Sequence, residues 1–498
     1  MATAKKDVKN SPACPSAIHA KLSPSWKITQ DLWGSALDIR GLETEYLPKF
    51  KKEPDEKYRE RLDNSVFENE FRLAIETMAG TVFRTDPKPD ELPEQIDTMF
   101  TDIDLCGNSF WSFALNAFEK FLRDGNGFIY IDAPPLSEDA KKKVEDGAKL
   151  TLADRKGDRP FWVFYEASQL VNYRYEKIGS REIFSQMTFR ETTMVPDGDF
   201  GEKEVTRYRV LQPGKYTVYG QNETTKEFDV IAEESGTTGL TEIPVIPIAD
   251  LDTVPPLLTL GLLNLLYYRK TSDFDNICHL VCTPLRVQKY GSKEDAEAAA
   301  KIQTASAAAG LKGWGPDFNV FFAEVEGKGM DIARSRYQDV AANMTRIGTG
   351  MMAPADTTAI RTATEVIDSA GQRQSKLARL ARDFENAIEK ALYVTAEVYN
   401  AIFGAKTIDL AATEDKTKLK LKIDYDRLTF TMEQVGFFSD LVDSGKLTLL
   451  TFLTWLSDAY DMPPGFDPQK EVKDLANANV IETAPPEKDD LPPKQEER

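Results

Sequence analysis

Histidine is almost missing from this chain: two among 498 residues, His19 and His279, alongside four cysteines. That scarcity weighs against a closed zinc site. The stretch "CHLVC" (278–282) has no second Cys/His cluster to complete a tetrahedral set. At helical spacing Cys278 and Cys282 share one face, where free cysteine packs as a small hydrophobe. Scattered cysteines in a chain of this length fit a reducing compartment better than a disulfide framework. Long apolar runs are also lacking. The greasiest segment follows Pro255-Pro256, stops at Arg269-Lys270 and contains Asn264, short of the ~20 apolar residues that span a bilayer. The N-terminus "MATAKKDVKN" has no apolar core of a secretory signal. We therefore expect no membrane partner.

Positive charge is in deficit, with 62 Lys and Arg against 81 Asp and Glu, a net charge of −19. Tight nucleic-acid binding draws on basic surfaces that displace counterions, so the balance argues against it. A protein that DNA passes without sticking remains compatible. Catalytic signatures are absent as well. There is no GxxxxGK[ST], no HExxH and no GxSxG, and two histidines leave little for Ser-His chemistry. Asp102, Asp104 and Gly107 imitate the start of a calcium loop, but Phe113 stands where its bidentate glutamate belongs. Gly348-Thr-Gly350-Met-Met-Ala353 matches a dinucleotide fingerprint by letters, yet it follows a helical pattern and Pro354 comes next. No cofactor and no metal are expected, and the reading is of a protein that is not an enzyme.

What is present is a clear order of elements. Residues 40–86 read as helical, with Tyr58, Leu62, Val66, Phe67, Phe71, Ile75 and Met78 on one stripe. A helix over 107–123 is followed by the turn "DGNG" and the strand "FIYIDAPP". From 160 to 250 the period becomes two, in "FWVFYEA", "LVNYRYEKI", "EIFSQMTFRET" and "RYRVLQPGKYTVYG". This is an antiparallel unit closed by "IPVIPI". A helix over 257–282 then ends at Thr283-Pro284. The strand "PLRVQKY", an Ala-rich helix over 293–309 and the strand "FNVFFAEV" follow. Another helix spans 331–347, and Gly348, Gly350 and Pro354 interrupt it. Thr362 and Glu365 form a capping-box pair opening a very long helix that keeps its stripe to Gly404. About 40 residues make a rod of roughly 60 Å. One strand, "LKLKIDYDRLTF", short C-terminal helices and a Pro- and charge-rich tail complete an α+β chain.

Helix, inserted strand–helix–strand, helix, Gly/Pro loop and very long helix together resemble the portal proteins of tailed bacteriophages. The similarity is to a subgroup from short-tailed and cyanobacterial phages. It is carried by "EYLPKFKKEPDEKYRERLDNSVFENEFRLAIETMAGTVFR" (45–84), "PPLLTLGLLNLLYYRKTSDFDNICHLVCTPLRV" (255–287), "RTATEVIDSAGQRQSKLARLARDFENAIEKAL" (361–392) and "LVDSGKLTLLTFLTWL" (441–456).

The resemblance implies a wing over 1–255 and a first stem helix over 256–283. A clip over 284–330 and a second stem helix over 331–350 follow. Next come a tunnel loop over 351–361, a wing helix and strand over 362–430 and crown helices over 431–478, while the Pro- and charge-rich composition of 479–498 predicts a disordered tail. The resemblance further implies a ring, usually of twelve copies, at one capsid vertex of the virion, assembled in the host cytoplasm. Its channel passes double-stranded DNA in packaging and ejection. Partners would be the terminase large subunit, a head–tail adaptor, and the major capsid protein with its scaffold. Arg334, Arg336 and Arg346 on the second stem helix, with Met351, Met352, Asp356 and Thr357 in the loop, would face the channel. The arginines are equally compatible with interhelix salt bridges. Another virion structural or adaptor protein, or a carboxylate-dependent hydrolase, stays open as the alternative.

Overall fold

The computed structural model describes residues 11–84, 92–134, 159–222, 225, 227–238, 240–282, 285–289, 292, 294, 319–323, 328–352, 376–403, 408–409, 421, 432–459 and 466–482. The chain divides into two units, Met1–Ile423 and Asp424–Arg498. Helix and sheet are mixed in the α+β manner expected.

The first unit opens with α1 (Ala17–Trp33), where the Ser16 hydroxyl accepts from the backbone N–H of His19. A Ser35/Asp38 capping box starts α2 (Ala36–Gly41). Then come α3 (Asp55–Asn64) and α4 (Glu70–Val82). The helical stretch expected over 40–86 is therefore broken. The chain turns extended at Ser65, and Asn69 caps the next helix by accepting from the N–H of Arg72. The break moves Val66 off the stripe and leaves it 65% exposed, whereas Tyr58, Leu62, Phe67, Phe71, Ile75 and Met78 are buried.

After α5 (Glu94–Asp97) comes α6 (Phe110–Asp124). Gly125 ends α6 at φ +81, a left-handed conformation that favours glycine. A side chain there would also sit 2.9 Å from the Val254 carbonyl. The turn leads into β1 (Gly127–Asp132), which pairs antiparallel with β2 (Phe161–Glu166).

The second sheet carries the period-two segments. Its strands are β3 (Leu170–Ile178), β4 (Arg181–Asp197), β5 (Gly201–Gln212), β6 (Lys215–Gln221) and β7 (Phe228–Val230) in sequential order, with β8 (Gly236–Thr237) on β6. The segment "IPVIPI" does not close this sheet. Its strand β9 (Val245–Pro247) pairs with β1 in the smaller sheet, ordered β2-β1-β9. Phe128, Tyr165, Met187, Phe189 and Leu211 form a buried cluster spanning both sheets.

Next are α7 (Leu258–Cys282), β10 (Leu285–Lys289), β11 (Asn319–Ala323), α8 (Lys328–Met352) and α9 (Lys376–Phe403). Phe384 of α9 meets the rings of Phe118, Phe83 and Phe121 at 5.2, 6.2 and 6.4 Å. Trp162 of β2 donates its indole N–H to Thr395 Oγ1 at 2.8 Å. The long helix is thus part of the core of this unit.

The expected break at Gly348 and Gly350 is corrected by the structure. α8 runs through both glycines to Met352, because glycine lowers helix stability without forbidding the helical conformation. The start of the long helix at Thr362 and Glu365, nearly all of the Ala-rich helix over 293–309 and almost all of the strand over 419–430 lie outside the described residues.

The second unit contains α10 (Met432–Asp443), α11 (Leu449–Ala459) and α12 (Pro468–Glu482). Phe438 and Trp455 meet edge to face at 5.4 Å. α12 continues past residue 478, and most of the Pro-rich tail lies outside the described residues.

Candidate functional site

The strongest functional candidate is the pair α7 and α8 with the ribbon at their ends. In its first turns α7 is a core helix, with Leu260, Leu265 and Tyr268 buried along with Leu257 just before it. Gly261 admits a close approach, since a Cβ there would lie 2.8 Å from Leu32 and 3.4 Å from Phe71. Asn264, the polar residue inside the greasy run, is fully buried. Its amide oxygen accepts from the Phe71 N–H at 3.0 Å, and its NH2 donates to the Glu68 carbonyl at 2.8 Å. It therefore satisfies an N–H at the start of α4 that the helix leaves without an internal acceptor.

Further along, Arg269 donates to the Tyr46 carbonyl at 2.7 Å. Ser272 Oγ accepts from Ser65 Oγ at 2.8 Å. Arg61, 6% exposed, sits beside it and grips Glu53 through two bonds of 2.9 Å. Beyond Ser272 no residue from Asp273 to His279 is fully buried, although most are half-buried, and His279 lies close enough to Glu60 of α3 to interact with it electrostatically. α7 therefore leaves the core after about four turns.

α8 accompanies it. Tyr337 lies between Tyr267 and Phe274, at ring distances of 6.2 and 5.1 Å. Val340, Met344 and Met351 are buried, whereas Ile332, nearer the ribbon, is 73% exposed. At the far ends β10 and β11 pair antiparallel from Leu285↔Ala323 to Lys289↔Asn319. The result is a helix pair bridged by a two-stranded ribbon, one half seated in the core and the other at most half-buried.

The expected channel residues are not brought together as a single surface. Arg334, Arg336 and Arg346 are all exposed on α8. At 3.6 residues per turn, however, Arg334 and Arg336 fall about 160° apart, on opposite flanks of the packed face. Among the described residues neither of those two forms a salt bridge, so the interhelix-bridge reading gains nothing from them. Arg346 points away from the face that carries Tyr337 and Met344. Ile332, Ser335, Asp339 and Ala342 share that outward stripe with it, and all are exposed. Met351 is only 4% exposed, buried in the body of the chain rather than free. Met352 ends the helix, and Asp356 and Thr357 lie outside the described residues.

Asp339 is an exposed charged residue on that stripe which the sequence reading did not single out. It stands seven positions before Arg346, two turns away on the same stripe. The spacing was visible, but the stripe is identifiable only once the face packed on α7 is known.

A family model described as "Domain of unknown function (DUF4055)" matches residues 256–398. The match takes in α7, the ribbon, α8 and most of α9. No curated protein matches the chain. Among solved structures it is similar to a chain of "Virion of native gene transfer agent (GTA) particle". That alignment has 10% identity and a TM-score of 0.37, covering 86% of this chain and 100% of that one. It is also similar to a chain of "Neck of empty GTA particle computed with C6 symmetry". Here identity is 11% and the TM-score 0.32, with 79% of this chain and 89% of that one covered. Among the described residues no helix is long and apolar enough to cross a membrane.

Proposed function

We propose that this chain is a virion structural protein and, more specifically, the portal of a tailed phage-like particle, a ring through whose channel DNA is packaged and ejected. The observation that carries this is the helix pair α7–α8 leaving the core with the β10–β11 ribbon at its far end. A hairpin of that kind has little of its own core to pack against in a single copy, and closed symmetry around an axis sets it against the hairpins of its neighbours.

In such a ring the outward stripe of α8, Ser335, Asp339, Ala342 and Arg346, faces the channel. Arg334 and Arg336 on the flanks reach toward neighbouring copies. One acidic and one basic side chain on a stripe of small residues give DNA little to hold. Each strong phosphate contact would add counterion-release affinity and hence friction. The net charge of −19 works in the same direction. Met351 anchors the end of α8 from within. The segment with Met352, Asp356 and Thr357 leads from α8 toward α9 and belongs at the constriction. The ribbon segment, 284–330, is the docking platform for a terminase large subunit during packaging and a head–tail adaptor afterwards. The two-sheet wing is the part that meets the major capsid protein and scaffold. The chain itself carries no catalytic task.

Immunogold labelling of purified particles tests the assignment. Gold at a single vertex per capsid is expected. Label spread over the shell or along the tail would overturn it.

A further inference from the structure

The second sheet has an unusual use of its longest strand. β4 runs for 17 residues, about 55 Å of extended chain. It pairs with β3 only from Arg181 to Phe189, and with β5 only from Met187 to Asp197. β6 joins β5 no earlier than Arg207. Beyond this overlap two ribbons of two strands each project from opposite ends of β4. One is Arg174–Ile178 with Arg181–Gln186, and the other is Thr192–Asp197 with Gly201–Thr206. Neither has a flanking strand among the described residues, and a two-stranded ribbon in water is marginally stable at best.

The two ribbons differ in charge. The far ribbon carries Asp197, Asp199, Glu202 and Glu204 against Lys203, an excess of acid. The near ribbon carries Arg174, Lys177 and Arg181 against Glu176 and Glu182, an excess of base. Each also presents apolar surface. Phe200 at the tip of the acidic ribbon is fully exposed, with Met194 at 55%. On the basic ribbon Tyr175 and Ile178 are 48% and 60% exposed, and Tyr175 stacks on Phe184 at 4.5 Å.

We infer that the acidic ribbon of one copy of this chain docks on the basic ribbon of the next, with Phe200 set against Tyr175, Ile178 and Phe184. The inference rests on the ring reading and supplies the contact between neighbours. Two acidic ribbons face to face would repel, so charge excludes contact between like ribbons, and in a ring the acid-to-base contact is head to tail, the type that closes when the rotation permits. Pro196 on the acidic ribbon lacks a backbone N–H, which weakens the β4 edge there for strand addition.

Charge reversal with complementation tests this. One variant carries Asp199→Lys, Glu202→Lys and Glu204→Lys, and the other Arg174→Glu, Lys177→Glu and Arg181→Glu. Native mass at low salt follows assembly, with thermal unfolding as the folding control. Each variant alone has like-charged ribbons and should need at least about ten times the parent's concentration to assemble, a loss of about 1.4 kcal/mol per contact. An equimolar mixture should recover the parent's assembly with the two variants alternating. If either folded variant assembles like the parent, or the mixture fails to recover, the ribbons meet something other than a second copy and the inference is overturned while the ring stands. If the parent itself forms no ring, the ring reading fails and takes this contact with it.

Discussion

Arg61 shows how one side chain fixes where α7 departs from the core. Its guanidinium holds the Glu53 carboxylate through two bonds of 2.9 Å and donates to the Pro48 carbonyl at 2.9 Å, with both charged side chains under a tenth exposed. The hydrogen bonds from Arg61 hold Glu53 below the usual carboxylate range, overriding the burial that would raise it. A carboxyl whose pKa is lowered by folding contributes stability above its unfolded value, about 4.3. That contribution is lost as pH falls through the lower folded value. Arg61→Ala leaves Glu53 buried without its partner, and we expect a loss of roughly 3 kcal/mol at pH 7. The deficit should shrink on acidification, because protonating the stranded carboxyl relieves the variant while the parent loses its pair. Denaturant unfolding of both proteins from pH 7 down to pH 3 reads this directly. A deficit that stays constant through the acid range would show that the pair contributes no charge-dependent stability.

At the scale of elements, α8 is where structure and sequence part most instructively. Gly348 and Gly350 read as a helix break, yet both lie in the helix, and a Cβ at either would meet nothing within 4 Å. Glycine in an unobstructed helix interior costs about 0.5–1 kcal/mol relative to alanine. Gly348→Ala should stabilise the chain by that amount in thermal or denaturant unfolding, and Gly350→Ala, in the last turn of α8, by less. If instead either variant is destabilised, these positions take up a conformation that alanine cannot share.

Other elements were readable for definite reasons. Strands β2 to β6 follow from strict alternation, and the tight connection from β5 to β6 from Pro213-Gly214, with Gly214 at φ +74. The apolar run of α7 predicted its helix without predicting that Asn264 serves α4, since a side-chain acceptor for a distant helix start leaves no local pattern. The break between α3 and α4 was hidden because the apolar stripe continues across it with only Val66 displaced. Pairing was hidden too. Alternation says that β4 is a strand but not that its halves have different partners, and β9 reads as well for one sheet as for the other. Site geometry was beyond the sequence for a related reason. Arg334, Arg336 and Arg346 were legible as basic residues on one helix, but the face they occupy depends on how α8 packs against α7.

On the scale of the whole molecule, the first unit is a body of two sheets and several helices with a helix pair and two ribbons extending from it. The two ribbons expose Phe200, Ile178 and Tyr175, apolar side chains that a neighbouring copy can cover. The central claim is that copies of this chain cover those surfaces in one another as a closed ring. Native mass measurement of the purified full-length protein at micromolar concentration, with electron micrographs of the same sample, tests it most directly. The expected result is one closed species of about a dozen copies with a hole along its axis. A stable monomer at that concentration, with no ring in the micrographs, would contradict it.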